Sequence, residues 1–244
     1  MAARAHTQPA SRDPDRRPRV DVLSEPDTND AIPALGGDRP RAHGGDTEQQ
    51  ILAATERLLA TTPLTKLSVA QIVEEAGVSR TTFYFYFSSK HAPISALLTQ
   101  VMDEIYGSIS AFTDRADGDD GIADGFAALD RGLEGAAQVF RDHRMVLRAV
   151  VENWRLVPEL RKLWLGIIER FTTAFAAEID RERARGNAPA GMPSRELAAG
   201  LIWGCERVLY IAGLGLDQDI PNEDRALRTL QTMWKATVYG GTQP

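Results

Sequence analysis

The side chains best equipped for chemistry crowd into one stretch, residues 68–90, SVAQIVEEAGVSRTTFYFYFSSK. Ser68, Ser79, Arg80, Thr81, Thr82, Tyr84, Tyr86 and Lys90 supply hydroxyls, phenols and cations at close spacing. Such groups make hydrogen bonds to phosphate oxygens, while side chains at the N-terminal end of a helix in the major groove read base edges. The four histidines, His6, His43, His91 and His143, are scattered with no metal-ligand spacing. There is no G-x-S-x-G, no phosphate-binding glycine motif and no cysteine pair. The sequence therefore points to binding, not to catalysis, and calls for no cofactor or metal.

These groups need elements to hold them. Ser68 can cap a helix, with Gln71 three residues on as the reciprocal half of a capping box. Ile72, Val73 and Ala76 give that helix an apolar face, and Gly77 stands where a left-handed residue would end it. Val78 plugs the turn and Ser79 can cap a second helix. Two helices joined by a short Gly-containing turn form a helix-turn-helix, whose second helix enters the major groove. Phe83 to Phe87 are five consecutive aromatics, a poor isolated helix whose alternation would also suit a strand. The cap at Ser79 and the short span favour the helix.

The pattern V-S-R-x-T-F-Y-x-Y-F-x-x-K, preceded by A-x-I-V-E-E-A-G, resembles the TetR family of one-component transcriptional repressors. Its F-Y-F-Y-F version, with W-x-x-x-V-Y-G from Trp234 to Gly240, is similar to the EthR-like branch. The resemblance implies a DNA-binding head on a helical body. It further implies a homodimer, an operator in double-stranded DNA and release by an apolar small-molecule effector. The competing expectation is a hydrophobe-binding protein with a vestigial head. Its best support is charge: residues 46–98 hold Asp46, Glu48, Glu56, Glu74 and Glu75 against Arg57, Lys66, Arg80 and Lys90. Phosphate neutralisation supplies much of DNA affinity, so a slightly acidic head is an objection that hydroxyls and helix N-termini must answer.

The chain has 244 residues, 43% hydrophobic and 25% charged, with a net charge of −6. Those values suit a soluble globular protein with one or two domains. No apolar run approaches the roughly 18 residues that span a bilayer, and a single cysteine, Cys205, fits a reducing cytoplasm. Residues 1–45 are rich in proline, glycine and arginine and read as a disordered arm. Arg12, Arg16, Arg17, Arg19, Arg39 and Arg41 either touch DNA or belong to a solvated tail.

From Asp46 onward the periodicity is helical, so the expected fold is all-α with about nine helices. The head spans 46–92 and the ligand-binding and dimerisation body spans 93–240. Asp46 opens the first helix; a long helix runs from about Lys90 to Phe112, and Asp114 to Gly121 is a polar break. Further helices fall near 122–141, 143–155, 158–185, 194–214 and 222–239, with Ser194 and Asn222 as caps.

Trp164, Ile168, Phe171 and Phe175 share one helix face at spacings of 4, 3 and 4. By spacing alone this stripe is either core or the wall of an apolar cavity; the resemblance implies a channel along this helix. It also places Trp164, Phe171, Tyr210 and Trp234 at aromatic pocket walls. The chain departs from the family at Ile202 and Cys205, where that branch has asparagines, and at Leu129 and Ala136, where it has aromatics. Glu206, inside an apolar stretch, is a polar anchor, half of a salt bridge, or an edge residue. Cys205 reads as a small buried hydrophobe. Leu197, Leu201, Cys205 and Val208, with Ala226, Leu230, Met233 and Thr237, form stripes that are either dimer contacts or a second buried face. A helix-turn-helix repressor needs two heads, which favours the dimer.

Overall fold

The computed structural model describes residues 44–113 and 121–240. Residues 1–43 of the proposed arm and most of the polar break lie outside them, while Gly44 and Gly45, placed in that arm, belong to the first helix. Nine helices and no strand occur among the described residues: α1 (Gly44–Leu59), α2 (Val69–Ala76), α3 (Arg80–Tyr86), α4 (Ala92–Thr113), α5 (Ile122–Asp142), α6 (Arg144–Asn153), α7 (Pro158–Ala184), α8 (Ser194–Gly213) and α9 (Glu223–Tyr239).

Local signals account for most boundaries. Gln71 N–H donates to Ser68 Oγ, and Ser68 N–H donates back to the Gln71 side chain, so the capping box at α2 is complete. Gly77 ends α2 at φ +66°, and its N–H and that of Val78 turn back onto Glu74 and Val73 carbonyls. Ser79 Oγ accepts from Thr82 N–H to open α3, and Asn222 accepts from Arg225 N–H to open α9. Pro158 sits in the first turn of α7, where its missing N–H costs nothing.

Two caps differ from expectation. α1 begins at Gly44, which puts Asp46 inside its first turn, where a carboxylate favours the positive end of the helix dipole. Ser194 does not cap α8; Pro193 occupies that place. The Ser194 hydroxyl instead donates to Asp180 and accepts from Arg183 on α7. Burial decides this: at 6% exposed, the hydroxyl needs permanent partners, and α7 supplies two.

Ile51, Leu52, Leu67, Ile72, Phe83, Ile94 and Leu98 are almost fully buried and knit α1–α3 onto the start of α4. The later part of α4 runs against α5. There a Cβ on Gly135 would lie 2.7 Å from the Ser108 side chain, and one on Gly132 would lie 3.4 Å from the Ile109 backbone. The two backbones therefore meet closely where α5 has no side chain. At the far end of α4, Arg181 of α7 donates to the Thr113 carbonyl while pairing with the fully buried Glu178. Burial raises the Glu178 pKa, and the Arg181 hydrogen bond opposes it.

Gly77 has open space where a Cβ would go. Gly77→Ala therefore costs only the left-handed backbone, about 1–2 kcal/mol. Urea unfolding should show that loss, with no change in the denaturant slope.

Candidate nucleic-acid interface and apolar core

Seven residues of α3 divide into two faces. Phe83 is fully buried and packs against Phe87, ring centroids 5.8 Å apart, while Tyr86 and Thr82 are half-buried beside them. Arg80, Thr81, Tyr84 and Phe85 face outward, with Ser79 just before them. Tyr84 is 55% exposed and braced edge-on against Phe83, so its phenol tip stands out on an anchored ring. Of the two tyrosines expected to reach outward, Tyr84 does so fully and Tyr86 only in part. Phe85, 60% exposed and edge-on to Tyr86, was not expected on this face. Counting 100° per residue from Thr81 would have placed it there.

Several of the polar groups already have work in the fold. The Ser68 hydroxyl closes the α2 capping box, and the Thr82 hydroxyl lies 2.8 Å from Ser79 Oγ. Lys90 turns its ammonium back to Leu67 O at 2.9 Å and Leu64 O at 3.4 Å, clamping the α1–α2 loop; one of its three N–H bonds remains. Arg57 is bound to Glu75. Burial, and then Lys90, push the His91 pKa down, so it adds no charge at neutral pH. Among the described residues, the cation exposed on the outer face of α3 is Arg80.

In the body, Trp164, Ile168, Phe171, Phe175 and Trp234 all lie inside, each at most 9% exposed. Phe175 meets Trp234 at 4.6 Å between ring centroids and Phe112 at 5.7 Å, and Phe171 meets Tyr106 at 5.6 Å. Phe112 and Tyr106 belong to α4, a partnership that helix spacing could not reveal. The indole N–H groups of Trp164 and Trp234 are buried with no acceptor. Two open grooves, about 470 and 190 Å³, lie away from this cluster, between α1 and the α5–α6 region.

The α8 candidates Cys205 and Tyr210 lie partly buried at the edge of the same core. Tyr210 is half-buried and donates to Glu152 of α6 at 3.3 Å. Cys205 is half-buried, and desolvation followed by the Glu206 carboxylate pushes its thiol up to about 12, so it is no nucleophile. Glu206 is 7% exposed; its Oε1 has no hydrogen-bond partner, and its Oε2 lies 3.7 Å from the exposed Arg207 guanidinium. Burial raises its pKa, with Arg207 opposing. The stripe predicted for a dimer also divides. Leu201, Ala226 and Leu230 are buried in the subunit's own core, whereas Leu197, Cys205 and Val208 are half-buried and Met233 and Thr237 are exposed.

Two family profiles match this chain. "Bacterial regulatory proteins, tetR family" matches residues 51–96, and "Transcriptional regulator EthR, C-terminal domain" matches residues 129–240. The HTH-type transcriptional regulator EthR of Mycobacterium tuberculosis is 34% identical over 206 residues, covering 82% of this chain and 90% of the relative. The HTH-type transcriptional repressor KstR2 of Rhodococcus jostii is 27% identical over 165 residues, covering 62% and 78%. Among solved structures, SmeT, the repressor of the Stenotrophomonas maltophilia multidrug efflux pump SmeDEF, shares the fold with a TM-score of 0.64. It is 16% identical and covers 82% of this chain and 95% of its own.

The Glu206 environment has a pH signature. A carboxyl whose folded pKa is raised favours the neutral form in the fold. Its ionisation therefore destabilises the fold as pH rises through the unfolded value of about 4.3 and beyond. Glu206→Gln should stabilise the protein near pH 7, and the gain should vanish below about pH 4. Urea unfolding of both proteins at the two pH values measures it.

Proposed function

Because the chain belongs to the TetR family of bacterial transcriptional regulators, on its EthR-like branch, we propose that it binds operator DNA as a homodimer and is released by an apolar small molecule. The observation that carries this reading is the outer face of α3, where Arg80, Thr81, Tyr84 and Phe85 stand exposed on a capped, anchored helix. Arg80 and Thr81, at the helix start, read base edges; Tyr84, Ser79 and backbone N–H groups hold phosphates. Relatives named as transcriptional regulators favour this over a hydrophobe carrier with an unused head. The protein acts in the cytoplasm, where such DNA lies.

The effector enters the aromatic cluster of the body. Phe171 and Phe175 of α7 touch Tyr106 and Phe112 of α4. A ligand that parts these rings displaces α4, which begins in the head's own core. The two unsatisfied indole N–H groups favour an apolar molecule that also carries an acceptor oxygen. Such a ligand lowers DNA affinity only as far as it prefers the displaced arrangement.

The second copy packs on the outer face of α8. Leu197, Val208 and Ile211 are half-buried in the single chain, with Gly200 and Gly204 between them allowing close approach, and Met233 of α9 stands exposed nearby. Two heads on one duplex compensate for the weak electrostatics of each.

Tyr84→Phe should weaken binding about two- to tenfold, and equally for unrelated duplexes, because a phosphate contact positions without specifying. Fluorescence anisotropy on two unrelated duplexes checks this; a loss confined to one sequence would assign Tyr84 to base reading instead.

Val208→Glu should give folded monomers in sedimentation with DNA binding lost. Leu230→Glu should unfold the chain, since it puts a charge in the subunit's core.

A further inference from the structure

His143 occupies the joint between α5 and α6, ending the first helix and opening the second. Its ring reaches two other elements. Nδ1 lies 2.7 Å from Glu56 Oε1 on α1, and Nε2 lies 3.6 Å from Glu104 Oε2 on α4. The His143 and Glu56 side chains are half-buried, 26% and 33% exposed, while Glu104 is exposed at 56%. The other charges around the joint have partners elsewhere: Arg57 with Glu75, Arg144 with Glu223, Asp103 with Arg170, and Arg141 and Asp142 with Gln138. Beside the joint, a groove of about 470 Å³ opens between α1 and the α5–α6 region, lined by Ala53, Glu56, Ala60, Arg141 and Met145. The His143–Glu56 hydrogen bond thus bridges the edge of this groove, beside the place where α1 packs on α6.

We propose that His143 is a positioning residue for DNA binding, tying α1 of the head to the α5–α6 joint and so fixing the angle at which α3 is presented. It rests on the reading of α3 as the DNA-contacting helix. α1 packs directly on α2 and α4, and α2 carries α3. A tilt of α1 is therefore a tilt of the outer face of α3. The tie is a hydrogen bond between an N–H of the ring and the Glu56 carboxylate, 87 residues apart in sequence. An amide side chain can replace either partner and keep one donor facing one acceptor. Alanine cannot, and it leaves the surrounding core untouched.

The test uses the full chain and a duplex recovered by the wild-type protein from a random library. His143→Ala and Glu56→Ala should each change affinity for that duplex by about two- to fivefold, the range of a partly exposed polar pair. The double variant should change it no more than either alone, since both remove one bond. Urea midpoints should stay close to wild type, and amide exchange in α1 should quicken. His143→Gln and Glu56→Gln should restore both affinity and exchange. Additive losses, or alanine variants that bind and exchange like wild type, would overturn the proposal. If the glutamine variants fail as badly as alanine, the bond is not what matters and the proposal also falls. A wild-type protein that recovers no duplex would instead remove the DNA-binding reading on which the proposal stands.

Discussion

The shared helix α4 is the constraint on which the rest depends. Its first turns put Ile94, Leu97 and Leu98 into the head's core, and its later turns put Tyr106, Ile109 and Phe112 into the body. Its later turns lie close against α5, where a Cβ on Gly135 would come within 2.7 Å of the Ser108 side chain. Its last carbonyl is held by Arg181. Protein interiors are close-packed, so a displacement imposed on one part of such a helix is transmitted rather than absorbed. In the proposed function, a ligand among Phe171, Phe175 and Trp234 acts on the same rod whose first turns lie in the head's core.

The head shows how a slightly acidic domain is equipped to hold DNA. Four basic side chains face five acidic ones between residues 46 and 98, and two of the cations are engaged, Arg57 by Glu75 and Lys90 by main-chain carbonyls. What remains on the outer face is Arg80 with hydroxyl, phenol and aromatic groups. In the proposed homodimer that inventory relies on positioned neutral donors and on two heads acting together, not on a basic field.

The helix-turn-helix was legible in the sequence because its signals are local. Ser68 with Gln71, Gly77 at a positive φ and Ser79 with Thr82 are all decided within four residues. What the sequence left open is set by partners far along the chain. Lys90 meets a carbonyl 23 residues away, Ser194 binds Asp180 instead of its own helix, and His143 binds Glu56 across 87 residues. Periodicity gave the inward face of α7 but not the α4 rings that meet it. In the same way it put Leu230 on an apolar stripe without saying whether that stripe was covered by this chain or by a second copy. A face is a property of one helix; its neighbour is a property of the fold.

The most direct test of the account is to sequence the genomic fragments retained by the full-length protein at moderate salt. The account predicts strong enrichment of a single pseudo-palindromic motif, with half-sites separated by about one helical turn or a multiple of it. Enrichment should collapse when the exposed Arg80 and Thr81 are both replaced by alanine. Retained fragments that match the input genome, with no shared motif, would contradict it.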